Sequence, residues 1–411
     1  MTLSTENLPQ QIREFKQALK AQVPDYQNRF QQVSEAMEEE IARIRQEEAR
    51  GSAIPQFDFA KIEKQGFSDE QRQQVHRTGC CIIRNTLPTK EVSKHNEAIS
   101  RYIIDNGYYE HTPTVEDNYF SQLKSDKPQI FGIYWSQAQI WARQHQNMAT
   151  IRKHLNHLWT WQDGENTFFN PDLEVSYADR VRRREPGDAT LGLSPHVDSG
   201  SIERWIEPHY REVYRDVFQG NWQKYQAFHG ANRIDVEEYP SPAVCSVFRT
   251  FQGWVALTAQ GKGDGTLQMV PSTLAMPYML LRAIQDDVPD DDLCGASPGR
   301  ALTVSPKWHP LLLKGLLSIP KMHPGDTVWW HPDTIHAVED KHNGEGYSNV
   351  LFIGAAPDCE KNRRFLEKQR NAFLAGESCP DFAPEHHEKN YVGRATVDDL
   401  SDLGKRQMGF K

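Results

Sequence analysis

Apolar residues at Phe30, Val33, Met37, Ile41 and Ile44 follow the break at Pro24-Asp25 with the three-and-four spacing of one helix face. Residues 1–50 therefore read as helical, with Gly51 as the stop. The charged positions among them (Glu38, Glu39, Glu40, Arg43, Arg45) fit a solvated face better than a partner helix. Pro55 to Glu63 reads as a linker. The run Gly79-Cys80-Cys81-Ile82-Ile83-Arg84 predicts a short strand, and Pro88-Thr89-Lys90-Glu91 opens a helix to about Asp105. Gln129 to Trp161 reads as mostly helical.

From about Val175 the pattern changes to short β-type runs separated by Gly, Pro and Asp. The predicted strands are Ala189–Leu193, Val244–Phe251, Trp254–Ala259, Thr266–Val270, Thr327–Trp330 and Asn349–Ile353. A polar helical insertion (Tyr210 to Tyr239) and an acidic loop (Asp286 to Pro298) lie between them. A charged helix from Lys361 and an irregular tail close the chain. Four segments result: a helical extension over 1–60, a helical support region with one opening strand over 61–170, a β-rich core over 171–357, and a C-terminal helix and tail over 358–411.

The chain has 411 residues and a net charge of -9, which counts against a general nucleic-acid binder. Its 10 Trp, 14 Tyr and 18 Phe supply bulk for a sizeable core. The cysteines (Cys80, Cys81, Cys245, Cys294, Cys359, Cys379) are scattered without a CxxC pair, so neither a disulfide framework nor a zinc knuckle is expected. No apolar run reaches the roughly 18 residues of a membrane helix, and the first residues lack the pattern of a signal peptide. The expectation is a soluble, cytoplasmic protein acting on a small molecule, without a nucleic-acid or membrane partner. Its oligomeric state is not legible.

Candidate chemistry centres on His196-Val197-Asp198 and on His336, 140 residues after His196. Two imidazoles and one carboxylate on one face of a divalent metal leave the other face open, as a non-haem Fe(II) oxygenase requires. On a strand, residues i and i+2 point the same way, so His196 and Asp198 could share an ion. A solvated loop or a strand end could present the same triplet. Three other His-x-carboxylate triplets are poorer. His95-Asn96-Glu97 falls in a predicted helix, His331-Pro332-Asp333 contains a turn-forming proline, and His386-His387-Glu388 reads as a solvated loop. Asp264-Gly265 is a hairpin turn signal, not a phosphate loop. Arg182-Arg183-Arg184 reads as a solvated turn, and at most one of Trp329 and Trp330 is expected to be free for substrate.

Three stretches resemble the Fe(II)/2-oxoglutarate-dependent dioxygenase superfamily, nearest its phytanoyl-CoA-dioxygenase-like and clavaminate-synthase-like members. Trp254-Val255-Ala256-Leu257 followed by Gly263-Asp264-Gly265-Thr266-Leu267-Gln268-Met269-Val270-Pro271-Ser272 is similar to the branch's core hairpin. Gly325-Asp326 before His336 is similar to the strand pair leading to the distal ligand, and Thr78 to Pro88 to the opening strand and helix. The resemblance spans about residues 75–357. It implies a mainly β fold with helices: a double-stranded β-helix (jelly-roll) core with an α-helical N-terminal extension. It also implies Fe(II) held by His196, Asp198 and His336, with 2-oxoglutarate as co-substrate and molecular oxygen as oxidant.

One departure concerns the cation that holds the distal carboxylate of 2-oxoglutarate. Many relatives carry it 10 to 14 positions after the distal histidine, where this chain has Gly346-Tyr347-Ser348-Asn349-Val350. Arg249 and Arg204 are the replacement candidates, with Ser348 as an accompanying hydroxyl. A cupin-like metalloenzyme without 2-oxoglutarate, or a non-catalytic β-helix binding protein, remains an alternative.

Overall fold

A computed structural model describes residues 6–110, 128–189, 194–198, 200–242 and 244–411. The long N-terminal helix spans Tyr26–Ala49 and buries Val33, Met37, Ile41 and Ile44, the face that the spacing predicts. Arg50 caps it, and Gly51 turns the chain with a φ of 71°. Glu40 departs from expectation. It is buried beneath Arg77, 3.2 Å from its guanidinium, and also pairs with Arg43. An acidic residue on the supposed solvated face thus ties this helix to the next layer. The expected linker is also structured: Gln56–Asp58 forms a strand parallel to Cys80–Arg84, and Asp58 caps the helix Phe59–Gln65.

The architecture is mixed helix and sheet. A seven-stranded sheet runs in the order Gln56–Asp58, Cys80–Arg84, Thr327–Trp330, Gln252–Ala256, Ser348–Phe352, Val181–Arg184, Ile130–Phe131. A five-stranded antiparallel sheet runs in the order Leu302–Thr303, His196–Val197, His336–Val338, Leu267–Met269, Leu317–Ser318. Strand alternation divides the larger sheet between two apolar layers. Ile82, Trp254, Val328, Trp330 and Val350 share one cluster with Leu267, Met269 and Leu317, so this layer lies between the sheets. Cys81, Ile83, Val255, Trp329 and Leu351 point the other way, into a cluster with Ile99, Ile103, Ile151 and Leu155 of the helices Thr89–Asp105 and Gln146–Asn156. A third cluster joins the N-terminal helices, the helix Ala275–Arg282 and Val197, Leu302 and Ile335 beside the smaller sheet.

Several expected boundaries move. Val244–Phe251 is not a strand, because side chains of the C-terminal segment satisfy its backbone. The Asn362 amide accepts from Phe248 N and donates to Phe248 O, each at 2.8 Å, and Asp381 accepts from Ser246 N. The strand proper is Gln252–Ala256, two residues earlier than the expected Trp254 start. Arg182-Arg183-Arg184 lies in the strand Val181–Arg184, with Arg182 and Arg184 buried, so the solvated turn is corrected. The insertion forms only short helices, Pro208–Val213 and Arg215–Phe218, before an irregular stretch. Of the expected strand Ala189–Leu193, residues 190–193 lie outside the described residues. Strands at 56–58, 80–84 and 130–131 join the same sheet as those of the 171–357 segment, so the segments do not separate into independent layers.

Gly325-Asp326 has a structural role. Asp326 accepts from Arg84 Nη1 at 2.6 Å and from Asn85 N and His323 N at 2.9 Å each, which fastens the opening strand to Thr327–Trp330. Gly325 has a φ of 97°, and a Cβ there would meet Leu87 O at 2.1 Å. All six cysteines are buried thiols. Among the described residues no helix is long and apolar enough to cross a membrane.

Candidate metal centre

His196 lies directly opposite His336 in the ladder between their two strands, with ring centroids 4.5 Å apart. Asp198 follows just beyond the short strand His196–Val197 and reaches both rings. Its Oδ1 is 3.3 Å from His196 Nε2, and its Oδ2 is 3.4 Å from His336 Nε2. Donor atoms bound to one ion at about 2.1 Å stand about 3 Å apart, so the three groups are close to a coordinating arrangement. One ligand atom from each lies within 4.8 Å of the others.

The imidazoles are also oriented. Nδ1 of His196 is 2.8 Å from Ser194 O, and Nδ1 of His336 is 3.1 Å from Thr334 O. Donation from Nδ1–H to a carbonyl leaves the Nε2 lone pair for a metal. Burial opposes the charged form of Asp198, but His336 and His196 outweigh it and hold the carboxyl well below its usual range.

The triad opens onto a cavity of about 170 Å³. That is room for on the order of ten water molecules. Its lining includes Arg180, Arg182, Arg184, Arg249, Gln252 and Trp330. Arg249 therefore shares the cavity with the triad. Arg204 and Ser348 are outside that lining, and their polar atoms are engaged elsewhere. Arg204 Nη1 donates to Asp333 Oδ1 at 2.6 Å and to the Tyr214 hydroxyl, while Nη2 donates to Asp198 O at 3.0 Å. Ser348 donates to Gln260 Oε1 at 2.6 Å. Arg204 is the counter-ion of a buried carboxylate, and Ser348 belongs to a buried amide network.

Asp333, expected only in a turn, accepts from Arg204, Tyr214, Tyr225 and Arg233. Its neighbour His331 stacks on Trp159 at 4.8 Å, and burial pushes its pKa down to about 3. His331 Nε2–H donates to Ala227 O and Nδ1 accepts from Asp333 N, so neither nitrogen is free for a metal. His387-Glu388 is not a solvated loop either: Glu388 is buried and accepts from Tyr134 N, Trp135 N and Tyr102 Oη. Trp329 and Trp330 are both buried, with Trp329 facing the helices and the Trp330 ring 5.2 Å from His336.

Further cavity groups lie outside the expected site residues. Among the described residues, Arg182 Nε, Arg184 Nε, Gln252 Nε2 and Trp330 Nε1 are buried donors without an acceptor. Buried donors are normally satisfied, so several along one cavity fit an acceptor-rich ligand. Arg182 is 5% exposed, and among the described residues its side chain donates from Nη2 to Gly265 O at 3.1 Å. Burial, then the like charge of Arg184, lowers its pKa to about 9. The alternation of Arg182 and Arg184 within Val181–Arg184 is the signal that could have marked a strand with two inward cations.

Comparison with known proteins gives close relatives. The Gig2-like family profile matches residues 6–410. The uncharacterised protein YbiU of Escherichia coli (strain K12) is 44% identical over 416 residues, spanning 100% of this chain and 99% of its own. The crystal structure of a Salmonella typhimurium LT2 protein, described as a candidate oxidoreductase, superposes with a TM-score of 0.95 at 42% identity, covering 100% of this chain and 99% of that one. The GlcNAc Inducible Gene 2 protein of Candida albicans superposes with a TM-score of 0.79 at 30% identity, covering 97% of this chain and 89% of that one.

Proposed function

Since the chain belongs to the Gig2-like family, we propose that it and its relatives share one chemistry: a non-haem Fe(II) oxidoreductase that uses 2-oxoglutarate and molecular oxygen to oxidise a small molecule. The observation that carries this reading is the convergence of His196, Asp198 and His336, with both imidazoles oriented by backbone carbonyls. The sheet orders support a jelly-roll core. Successive strands Val181–Arg184, His196–Val197, Gln252–Ala256 and Leu267–Met269 alternate between the two sheets, as do Leu317–Ser318, Thr327–Trp330, His336–Val338 and Ser348–Phe352.

His196, Asp198 and His336 would hold the iron. Bound Fe(II) supplies the redox chemistry of the class, in which decarboxylation of a 2-oxo acid by oxygen is coupled to oxidation of a substrate C–H bond. The protein orients and desolvates. The fit to 2-oxoglutarate rests on the orphaned donors Arg182 Nε, Gln252 Nε2 and Trp330 Nε1. Arg182 and Arg249 are both cations facing the cavity, and register favours Arg182 for the distal carboxylate. It is the ladder partner of Val350, which stands 14 positions after His336. The neighbouring strand thus offers the cation that the chain lacks after its distal histidine. The reading without 2-oxoglutarate loses its main support.

Anaerobic equilibrium dialysis with metal analysis tests the reading. Wild-type protein should bind one Fe(II) per chain, and His336→Ala should weaken binding by more than about 100-fold. Wild-type protein that takes up no Fe(II), or a His336→Ala variant that binds it unchanged, contradicts the assignment.

A further inference from the structure

We infer that the molecule oxidised is itself an organic anion, a carboxylate with an apolar body, and that Arg249 holds its carboxylate. This rests on the function proposed above and names the substrate class of the same site. Four arginines (Arg180, Arg182, Arg184, Arg249) line the cavity against two aspartates, Asp179 and Asp198. A divalent metal at the triad doubles the resulting positive surplus, and a dianionic co-substrate cancels only half of the total. Charge buried without a counter-charge is costly, so a second anion belongs there.

The individual arginines then narrow the choice. Arg184 donates to Gly265 O, Glu339 O and Asp188 O, and Arg180 has Asp179 at 3.6 Å. Arg182 stands with the orphaned donors assigned to 2-oxoglutarate. Arg249 differs. Among the described residues its guanidinium has no hydrogen-bond acceptor and no carboxylate in ion-pair range, only the Tyr177 ring at 5.3 Å. Tyr177 itself is turned to Asp381, donating at 3.0 Å, and Asp381 is further occupied by Ser246 N and Oγ.

The position of Arg249 is built in. Asn362 and Asp381 hold the irregular stretch on which it sits, and Gly354 makes room for its stem, since a Cβ there would meet Arg249 Cδ at 3.0 Å. Tyr177, Val244, Phe352 and Phe382 form the adjacent wall, and Arg180 covers the Phe382 ring at 4.3 Å. A cation set among aromatic and aliphatic side chains matches a carboxylate attached to an apolar group.

Calorimetric titration with phenylacetate and its neutral counterpart phenylacetamide tests the inference, using wild-type protein held anaerobically with Fe(II) and 2-oxoglutarate. Phenylacetate should bind about tenfold or more tightly than the amide. Arg249→Met should abolish that preference while 2-oxoglutarate binds as in wild type, and Arg249→Lys should keep part of it. Equal affinity for acid and amide, no binding of the acid, or a preference surviving Arg249→Met overturns the inference. So does loss of 2-oxoglutarate binding in Arg249→Met, which would assign this arginine to the co-substrate and leave the proposed function standing. If wild-type protein takes up neither Fe(II) nor 2-oxoglutarate, the proposed function fails, and the same two titrations still decide whether Arg249 selects an anion.

Discussion

Asp333 sits at the meeting point of Arg204, Arg233, Tyr214 and Tyr225, and Arg204 in turn donates to the backbone carbonyl of Asp198. A buried carboxylate between two guanidinium groups is costly to unbalance, because removing its charge strands both cations. Asp333→Asn should cost about 3–5 kcal/mol of stability, read from urea unfolding. The sign with pH follows from the folded state. Burial opposes ionisation of Asp333, yet Arg233 and Arg204 hold its carboxyl well below the usual value. Its contribution is therefore complete above about pH 4, the unfolded value, and is lost as pH falls through the lower folded value. Asp333→Asn should flatten the acid limb of the stability curve; an unchanged limb would show that this carboxylate does not control it. At this scale the convergence of His196, Asp198 and His336 is legible, because His196-Val197-Asp198 needs only strand alternation and His336 a neighbouring strand. The alternation of Arg182 with Arg184 is legible, but the place of Arg182 is not, since it depends on lying opposite Val350 in a ladder closed by residues some 170 positions away.

The turn from Gly261 to Thr266 joins strands in different sheets, and its glycines decide its path. Gly265 has a φ of 65°, and a Cβ there would stand 2.5 Å from Arg184 Nη1. The close approach lets the Gly265 carbonyl accept from both Arg182 and Arg184. Gly265→Ala should therefore destabilise by more than about 1 kcal/mol, combining left-handed strain with displacement of a buried arginine. A thermal scan checks this, and an unchanged melting temperature would contradict it. Asp264-Gly265 is readable as a turn because its signal is local, but the expected hairpin is corrected, since the strands on either side, Gln252–Ala256 and Leu267–Met269, lie in different sheets. Val244–Phe251 is misread as a strand because its backbone partners, Asn362 and Asp381, lie more than 100 residues away. Glu40 is misread for the same kind of reason, since its burial depends on Arg77 of another helix.

Across the whole molecule, helices cover the outer face of the larger sheet and pack beside the smaller one, and an apolar layer joins the sheets. The His196, Asp198 and His336 triad occupies the edge of that inner layer, where Trp330 and Leu267 still belong to the core while Arg182, Arg249 and Gln252 turn toward the cavity. Shape and charge together support a site that takes an ion, a dianionic co-substrate and a further small anion. The most direct test is anaerobic titration of the purified protein with Fe(II) and 2-oxoglutarate, following the visible charge-transfer absorption of their complex. Wild-type protein should develop the band and His196→Ala should not. No band in wild type would contradict the 2-oxoglutarate chemistry, and an undiminished band in His196→Ala would contradict the ligand set.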